Sequence, residues 1–428
     1  MNINTIDYPN INEKILTAEY KSGLKVFVIP KKGFSKKYIS ITTQYGSIDN
    51  VYLSRNGNSN SPIINPYGTA HFLEHMLFEQ RTRLLFDNCF TNGIYPKAYT
   101  TFNHTSFFFS CRTNVESNLK LLLDLIQNLS LNDQNIEIER NVIRHEIKMH
   151  SDNPQWVSLY NLLGSFYNSP IAIDIAGTEG SILGIDKEIL NRNYNAYYNH
   201  NNMFILVVGD INEEAVFKTV EDNINKNQCN ISIERVYSDR DSGIKRNYVN
   251  QKLALSKSIF TMGFKDIVPY DNSLESIRRE LAVKIIFELI LGKSSNFYND
   301  LFNEGLIKSQ LNSDYVYEKQ YSYSQISCES TSPEKVRDLF FEHIKKINSV
   351  GIYKTNLLTV KKSSIGNFIK SLDSLEKLIA AFICVYLKGY FIFDYLDLYN
   401  SISVDYLNKI FYEHFNINNF ALSVITPR

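Results

Sequence analysis

An α+β fold made of two related halves is what this sequence predicts, and three observations lead there. Each half opens with strand-like alternation, continues through long stretches of helical spacing and returns to an apolar strand, the pattern of long helices covering a mostly antiparallel sheet. Two stretches recur in type at one offset of 217 residues: Asn201-Asn202-Met203-Phe204-Ile205-Leu206-Val207 as Asn418-Asn419-Phe420-Ala421-Leu422-Ser423-Val424, and Ile39 to Tyr45 ending at Gly46 as Ser258 to Met262 ending at Gly263. A length of 428 residues, with 44% hydrophobic and 21% charged content, suits two domains, each with its own core.

In chain order, Leu24 to Ile29 and Ile39 to Tyr45 read as strands. Gly68-Thr69-Ala70 then leads into an apolar helix carrying His71-Phe72-Leu73-Glu74-His75 and continuing through Met76-Leu77-Phe78. Residues four apart on a helix share a face, so His71 and His75 can aim ring nitrogens at one ion, while Glu74 stands beside it as a base for an activated water. This is the inverted zinc-peptidase order H-x-x-E-H. With 8 His and 45 acidic residues in the chain, such a string is expected by chance only about 0.02 times.

Phe107-Phe108-Phe109 fits a buried strand, and Val115 to Leu129 a helix. A second helix spans Glu139 to Met149. Glu139 and Glu146, nearly two turns apart, share a face beside the apolar stripe Ile136, Ile143 and Ile147, and Ser151-Asp152-Asn153-Pro154 ends the helix. Catalytic zinc takes three protein ligands, and this helix offers the third. Its acidic residues and His145 are the candidates, although His145, as the neighbour of Glu146, points about 100° away around the helix. Phe204 to Val208 closes the first half. The polar run Asn225 to Gln228, followed by Asp239-Arg240-Asp241-Ser242-Gly243, reads as a linker, giving domains over 1–225 and 251–428 with a linker over 226–250. The second half is expected to hold a strand region from Leu253 to Phe264, a helix over Leu281 to Leu291 and a strand from Ala421 to Ile425. The offset carries the zinc motif onto Glu288, Leu291 and Gly292, so this half has no matching ligands.

Formal net charge is +0 and no block of five like charges occurs, which argues against nucleic acid or anionic membrane as partner. Met1 to Leu24 has no signal-peptide or transit-peptide character, and the longest apolar run, Leu378 to Leu387, is too short to cross a bilayer. Cys89, Cys111, Cys229, Cys328 and Cys384 are scattered without a C-x-x-C pair, as expected of thiols in a reducing cytoplasm.

His71-x-x-Glu74-His75 with the downstream Glu139-Arg140-x(5)-Glu146 resembles the M16 family of zinc metallopeptidases, which includes pitrilysin, insulin-degrading enzyme and mitochondrial processing peptidase. Gly46-Ser47-Ile48-Asp49, Asp152-Asn153-Pro154 and Ile175-Ala176-Gly177-Thr178 match recurring family stretches, and Ala98-Tyr99-Thr100-Thr101 with Thr105 looks like the family's substrate-binding edge strand. The resemblance implies the family's two-domain metallohydrolase fold, one Zn2+ per chain held by His71, His75 and Glu146, Glu74 as base, and Glu139 as the carboxylate behind a ligand. It further implies peptide contacts along Lys97, Ala98, Tyr99 and Thr100. Among family members the chain looks closest to short bacterial zinc subunits of paired peptidases linked to maturation of modified, subtilosin-type peptides, through Lys31-Lys32-Gly33-Phe34, Tyr45 to Asp49 and Ala70 to His75.

Two departures from the family pattern bear on function. Lys97 stands where the edge strand commonly has Asn. Phe302 and Lys308, in Leu301-Phe302-Asn303-Glu304-Gly305-Leu306-Ile307-Lys308, stand where self-sufficient members carry an Arg and a Tyr that hold substrate and steady the oxyanion. Tyr315, Tyr317, Tyr321 and Tyr323 are candidates for the missing Tyr, although strand tyrosines are usually packing. The expectation is a cytoplasmic zinc endopeptidase that processes a leader or precursor peptide together with a homologous partner subunit lacking zinc ligands. The competing reading is a non-catalytic scaffold subunit of the same fold.

Overall fold

The computed structural model describes residues 2–55, 61–79, 93–225, 232–237, 243–267, 274–352 and 354–428. A 7-stranded sheet has the order β1 (Ile3–Tyr8), β2 (Glu13–Glu19), β3 (Lys25–Pro30), β9 (Met203–Gly209), β4 (Lys37–Thr43), β8 (Thr105–Cys111), β7 (Tyr95–Thr100). A 5-stranded sheet has the order β11 (Tyr248–Leu253), β15 (Phe420–Pro427), β12 (Ile259–Phe264), β14 (Ser322–Glu329), β13 (Asn312–Tyr317). A third, small sheet joins β10 (Ile233–Arg235), β5 (Val51–Ser54) and β6 (Ile63–Ile64). In the two large sheets every neighbouring pair is antiparallel except β3 with β9 and β11 with β15. The series β3-β9-β4-β8-β7 and β11-β15-β12-β14-β13 therefore repeat one topology, the α+β duplication expected from the sequence.

The register of that repeat differs from the expectation in one place. β9 and β15 correspond at 217, since they begin at Met203 and Phe420. Thr43 pairs with Met203, however, while Phe264 pairs with Phe420, so β4 and β12 correspond at an offset of 221. Gly263 lies inside β12 opposite Ala421, whereas Gly46 follows the end of β4, so the match between these two glycines is a coincidence of composition. The stretch Leu253 to Phe264 likewise is not one strand but holds the last residue of β11, a break over residues 254–258 and the whole of β12, because β11 runs parallel to β15 and β12 antiparallel to it.

The chain divides into two compact units, Met1–Ile147 with Ile173–Tyr237 and Leu372–Leu387, and Lys148–Ala172 with Ser238–Ser371 and Lys388–Arg428. Among the described helices are α1 (Thr69–Glu74), α2 (Val115–Gln127), α3 (Asp133–Asp152), α4 (Pro154–Phe166), α5 (Leu274–Leu291), which contains the helix expected over Leu281 to Leu291, and α6 (Leu375–Tyr386). In the first unit, Val26, Val28, Ile39, Ile41, Phe107 and Phe109 pack with Leu119 and Leu122 of α2 in one apolar core. The opposite sheet face carries Phe27 and Phe204, and α6 covers it. Phe382 and Tyr386 set their rings 5.4 and 4.6 Å from that of Phe27, and Tyr386 lies 4.7 Å from Phe204. One face of the apolar run Leu378 to Leu387, with Leu378, Ile379, Phe382, Ile383 and Val385, is thus core, and no helix of the described residues is long and apolar enough to cross a membrane.

In the second unit α4 fills a corresponding role, lying on β11, β12 and β15 with the Ser158 hydroxyl donating to Thr261 Oγ1 at 2.9 Å. It begins where Asn153 caps the amides of Gln155 and Trp156 and Pro154 supplies a first residue that needs no hydrogen-bond acceptor.

Of the stretch 226–250, residues 226–231 and 238–242 lie outside the described residues, as do Cys89 and Cys229. Within it, β10 pairs with β5, Tyr237 donates to Asp49 Oδ1 at 2.6 Å, and Arg235 Nε lies 3.2 Å from the same oxygen. Asp49 also accepts from the Gly46 amide at 2.8 Å, and the Ser47 and Ile48 amides donate to the Thr101 and Phe102 carbonyls of the β7–β8 turn. The loop Gly46 to Asp49 thereby fixes the hairpin that carries the edge strand β7.

Candidate metal centre

All six residues of α1 are buried, and the helix widens into a π turn over His75–Glu79. His71, Glu74 and His75 expose 8%, 6% and 8% of their surface, a depth at which unpaired polar groups are costly. The partners of the two histidines come from α3. Glu146 Oε2 lies 3.7 Å from His71 Nε2 and 3.6 Å from His75 Nε2, and Glu139, itself buried, sits with Oε2 3.1 Å from His75 Nδ1. The imidazole rings of His71 and His75 are 4.6 Å apart. His71, His75 and Glu146 place one ligand atom each within 4.8 Å of the others, the one such group among the described residues.

These donors suit a zinc ion. Two imidazole nitrogens and a carboxylate oxygen are ordinary zinc ligands, and tetrahedral bonds of about 2.0–2.2 Å separate ligand atoms by about 3.3–3.6 Å. Glu139 accepts the Nδ1 proton of neutral His75, which leaves Nε2 as the lone-pair nitrogen turned toward Glu146. Without an ion the same carboxylates attract a proton instead. Burial disfavours a charged His75, but hydrogen bonds to Glu139 and Glu146 and the charges of Glu74 and Glu146 outweigh it and raise its pKa to about 9. His145 is exposed and is not part of the group.

Arg140 anchors α3 by donating to the carbonyls of Ile182 and Ile185, the latter at 3.1 Å, with its guanidinium over the Phe72 ring of α1 at 5.8 Å. Nothing in the spacing of the sequence singled out these contacts.

β7 is an edge of the 7-stranded sheet, and its side chains alternate between two surroundings. Thr100 faces α1 and donates to Glu74 Oε2 at 2.6 Å, and Ala98 packs against the same core. Lys97 instead reaches Glu376 of α6 at 2.9 Å in an exposed ion pair, and Tyr99 packs on Phe108 with its phenol pushed up to about 12 by burial. The structure therefore brings Thr100 to Glu74 and leaves the Lys97 side chain engaged with Glu376. Period-two alternation along Lys97 to Thr100 was the available signal for this division. In the second unit Phe302 is 50% exposed and Lys308 is exposed, while Tyr315, Tyr317, Tyr321 and Tyr323 are buried. Tyr315 donates to Asp266, which also pairs with Arg279.

Two models of one family match the chain in succession, Insulinase (Peptidase family M16) over residues 60–179 and Peptidase M16 inactive domain over residues 184–363. The chain is 29% identical over 431 residues to the uncharacterized zinc protease YmfH of Bacillus subtilis, covering 100% of both proteins. It is 33% identical over 161 residues to the mitochondrial-processing peptidase subunit beta of Caenorhabditis elegans, covering 36% of this chain and 35% of that one. Among solved structures, an M16-like peptidase from Alicyclobacillus acidocaldarius matches with a TM-score of 0.92 at 25% identity, covering 99% of this chain and 100% of the other. The order of the motif, the convergence of its side chains and the match along both halves lead to one conclusion: the chain belongs to the M16 peptidase family.

Proposed function

We propose that this protein is a zinc-dependent endopeptidase of unstructured peptides, and that it processes a leader or precursor peptide as the catalytic subunit of a two-chain enzyme. The observation that carries the reading is the convergence of His71, His75 and Glu146 beside a buried Glu74. His71, His75 and Glu146 would hold one Zn2+, with Glu139 fixing the His75 tautomer. Bound zinc supplies a Lewis acid for the peptide carbonyl and lowers the pKa of water to about 7. Glu74 takes a proton from the attacking water and delivers it to the leaving amine nitrogen. An extended peptide adds to the outer edge of β7, where backbone groups at residues 95–100 pair it in register.

The two-chain part rests on Phe302 and Lys308, which stand where self-sufficient relatives carry an Arg and a Tyr. It is also favoured by the word subunit in the name of the mitochondrial relative. A homologous partner without zinc ligands would supply the missing donors, each worth about 10²–10³ in rate. We place the enzyme in the cytoplasm, where buried thiols such as Cys111 and Cys328 stay reduced.

The test is cleavage of an internally quenched, unstructured peptide by the zinc-loaded chain, with metal content measured and Glu74→Gln as control. Cleavage abolished by Glu74→Gln supports the peptidase and removes the need for a partner. A chain that binds no zinc overturns the reading in favour of a scaffold.

A further inference from the structure

We infer that Thr100 is a positioning residue that registers the Glu74 carboxylate to the edge strand β7; this rests on the reading of Glu74 as the base. Thr100 Oγ1 lies 2.6 Å from Glu74 Oε2, and both residues are buried, at 9% and 6% exposure. The hydroxyl has one proton, and its surroundings direct that proton to Glu74. Thr105 Oγ1, 3.2 Å from Thr100 Oγ1, gives its own proton to the Tyr45 carbonyl at 2.8 Å and offers Thr100 only a neutral, more distant acceptor, so the single Thr100 proton goes to the charged Glu74 oxygen at 2.6 Å. A carboxylate that accepts from a fixed hydroxyl forms a charge-assisted bond, shorter and stronger than a neutral one.

A glutamate side chain has three rotatable bonds, and holding it in one rotamer costs conformational entropy. Thr100 offsets that cost before substrate arrives. Thr100 also belongs to the strand on which the peptide docks in the proposed reading. One side chain thus ties the position of the docked backbone to the position of the base, and the β7–β8 turn that carries it is held by the Ser47 and Ile48 amides.

Thr100→Val removes the donor at nearly constant volume, and Thr100→Ser restores it. In the zinc-loaded protein, or in the reconstituted pair if the chain is silent alone, Thr100→Val is expected to lower kcat about 10–100-fold with KM within about threefold. Zinc content should stay unchanged and Thr100→Ser near wild type. A second measurement does not depend on turnover: crystals of zinc-loaded Thr100→Val should show the Glu74 carboxylate in more than one rotamer, with His71, His75 and Glu146 in place. A kcat within twofold of wild type, or a single unchanged Glu74 rotamer, overturns the inference. Equal loss in Thr100→Val and Thr100→Ser together with lost zinc or a lowered Tm assigns Thr100 a structural role and also overturns it. Undiminished cleavage by Glu74→Gln would instead remove the base assignment itself, which separates the two failures.

Discussion

Gly68 and Gly177 stand back to back where the chain turns into α1. A Cβ on Gly68 would lie 2.4 Å from the Ala176 carbonyl oxygen, and one on Gly177 would lie 2.6 Å from the Tyr67 carbonyl oxygen. Both have positive φ, +88° and +86°, a region where a side chain adds about 1–2 kcal/mol of strain. Gly68→Ala and Gly177→Ala should each destabilise the protein by about 2–4 kcal/mol, combining that strain with overpacking against backbone. Because the turn sets the start of the helix bearing His71, zinc affinity should fall with Tm in both variants. Unchanged melting and unchanged zinc titration would show that the turn relaxes freely.

Glu139 is buried behind His75, out of the reach of a peptide, so its replacement separates metal binding from proton transfer. Glu139→Ala should weaken zinc about 10–100-fold in a competition titration. Glu74→Gln should leave zinc affinity within a few-fold and remove cleavage. The opposite pattern would exchange the two assignments.

Proton and zinc compete for His75. With its pKa raised to about 9 in the metal-free protein, apparent zinc affinity should climb about tenfold per pH unit up to about pH 9 and then level off. For the metal-free protein the same shift has the reverse sign on folding. A histidine whose folded pKa lies above 6.5 adds stability that is whole below pH 6.5 and is lost as pH rises through about 9. Denaturant midpoints of metal-free protein should therefore fall across pH 6.5–9, and the fall should vanish in His75→Ala.

The β7–β8 turn should respond to acid. His104 is buried, with Nδ1 3.0 Å from the Thr101 hydroxyl, and burial lowers its pKa to about 4. Its folded pKa lies below its unfolded value, so its contribution is complete above pH 6.5 and is lost as pH falls toward 4. Amide exchange at residues 99–105 should accelerate in that interval relative to β9, and a flat profile would remove His104 as the cause.

Ser324, His414 and Asp266 in the second unit have the outline of a hydrolytic triad, with His414 Nε2 2.8 Å from Ser324 Oγ and Nδ1 3.4 Å from Asp266 Oδ2. Their exposures are 0%, 1% and 4%, and Asp266 is already committed to Arg279 and Tyr315, which marks a buried polar network. Ser324→Ala should lower Tm and leave peptide cleavage unchanged, and a fluorophosphonate probe should not label the native protein.

The helix bearing the motif was legible in the sequence because its information is local. His71 and His75 at i, i+4 and Glu139 and Glu146 at i, i+7 fix shared faces from helix geometry alone. The Thr100 contact to Glu74 joins a strand to a helix 26 residues away, so only the period-two alternation hinted at it. The pairing of Lys97 with Glu376 spans 279 residues and left no trace in either neighbourhood. The duplication was legible through β9 and β15, which keep one register, while the differing offset of β4 and β12 shows that insertions shift elements of like composition past one another.

The placement of α6 bears on how the protein is made. Phe27 and Phe204 are both translated within the first half of the chain, yet the helix that shields them arrives only with residues 375–386. A growing chain thus holds an unfinished first unit from the completion of β9 until residues 375–386 are made, with one sheet face open to chaperones or to neighbouring chains. Cutting the gene between the two halves would separate that sheet from its cover, so recovery of the first unit from two fragments requires the late piece to be supplied in trans.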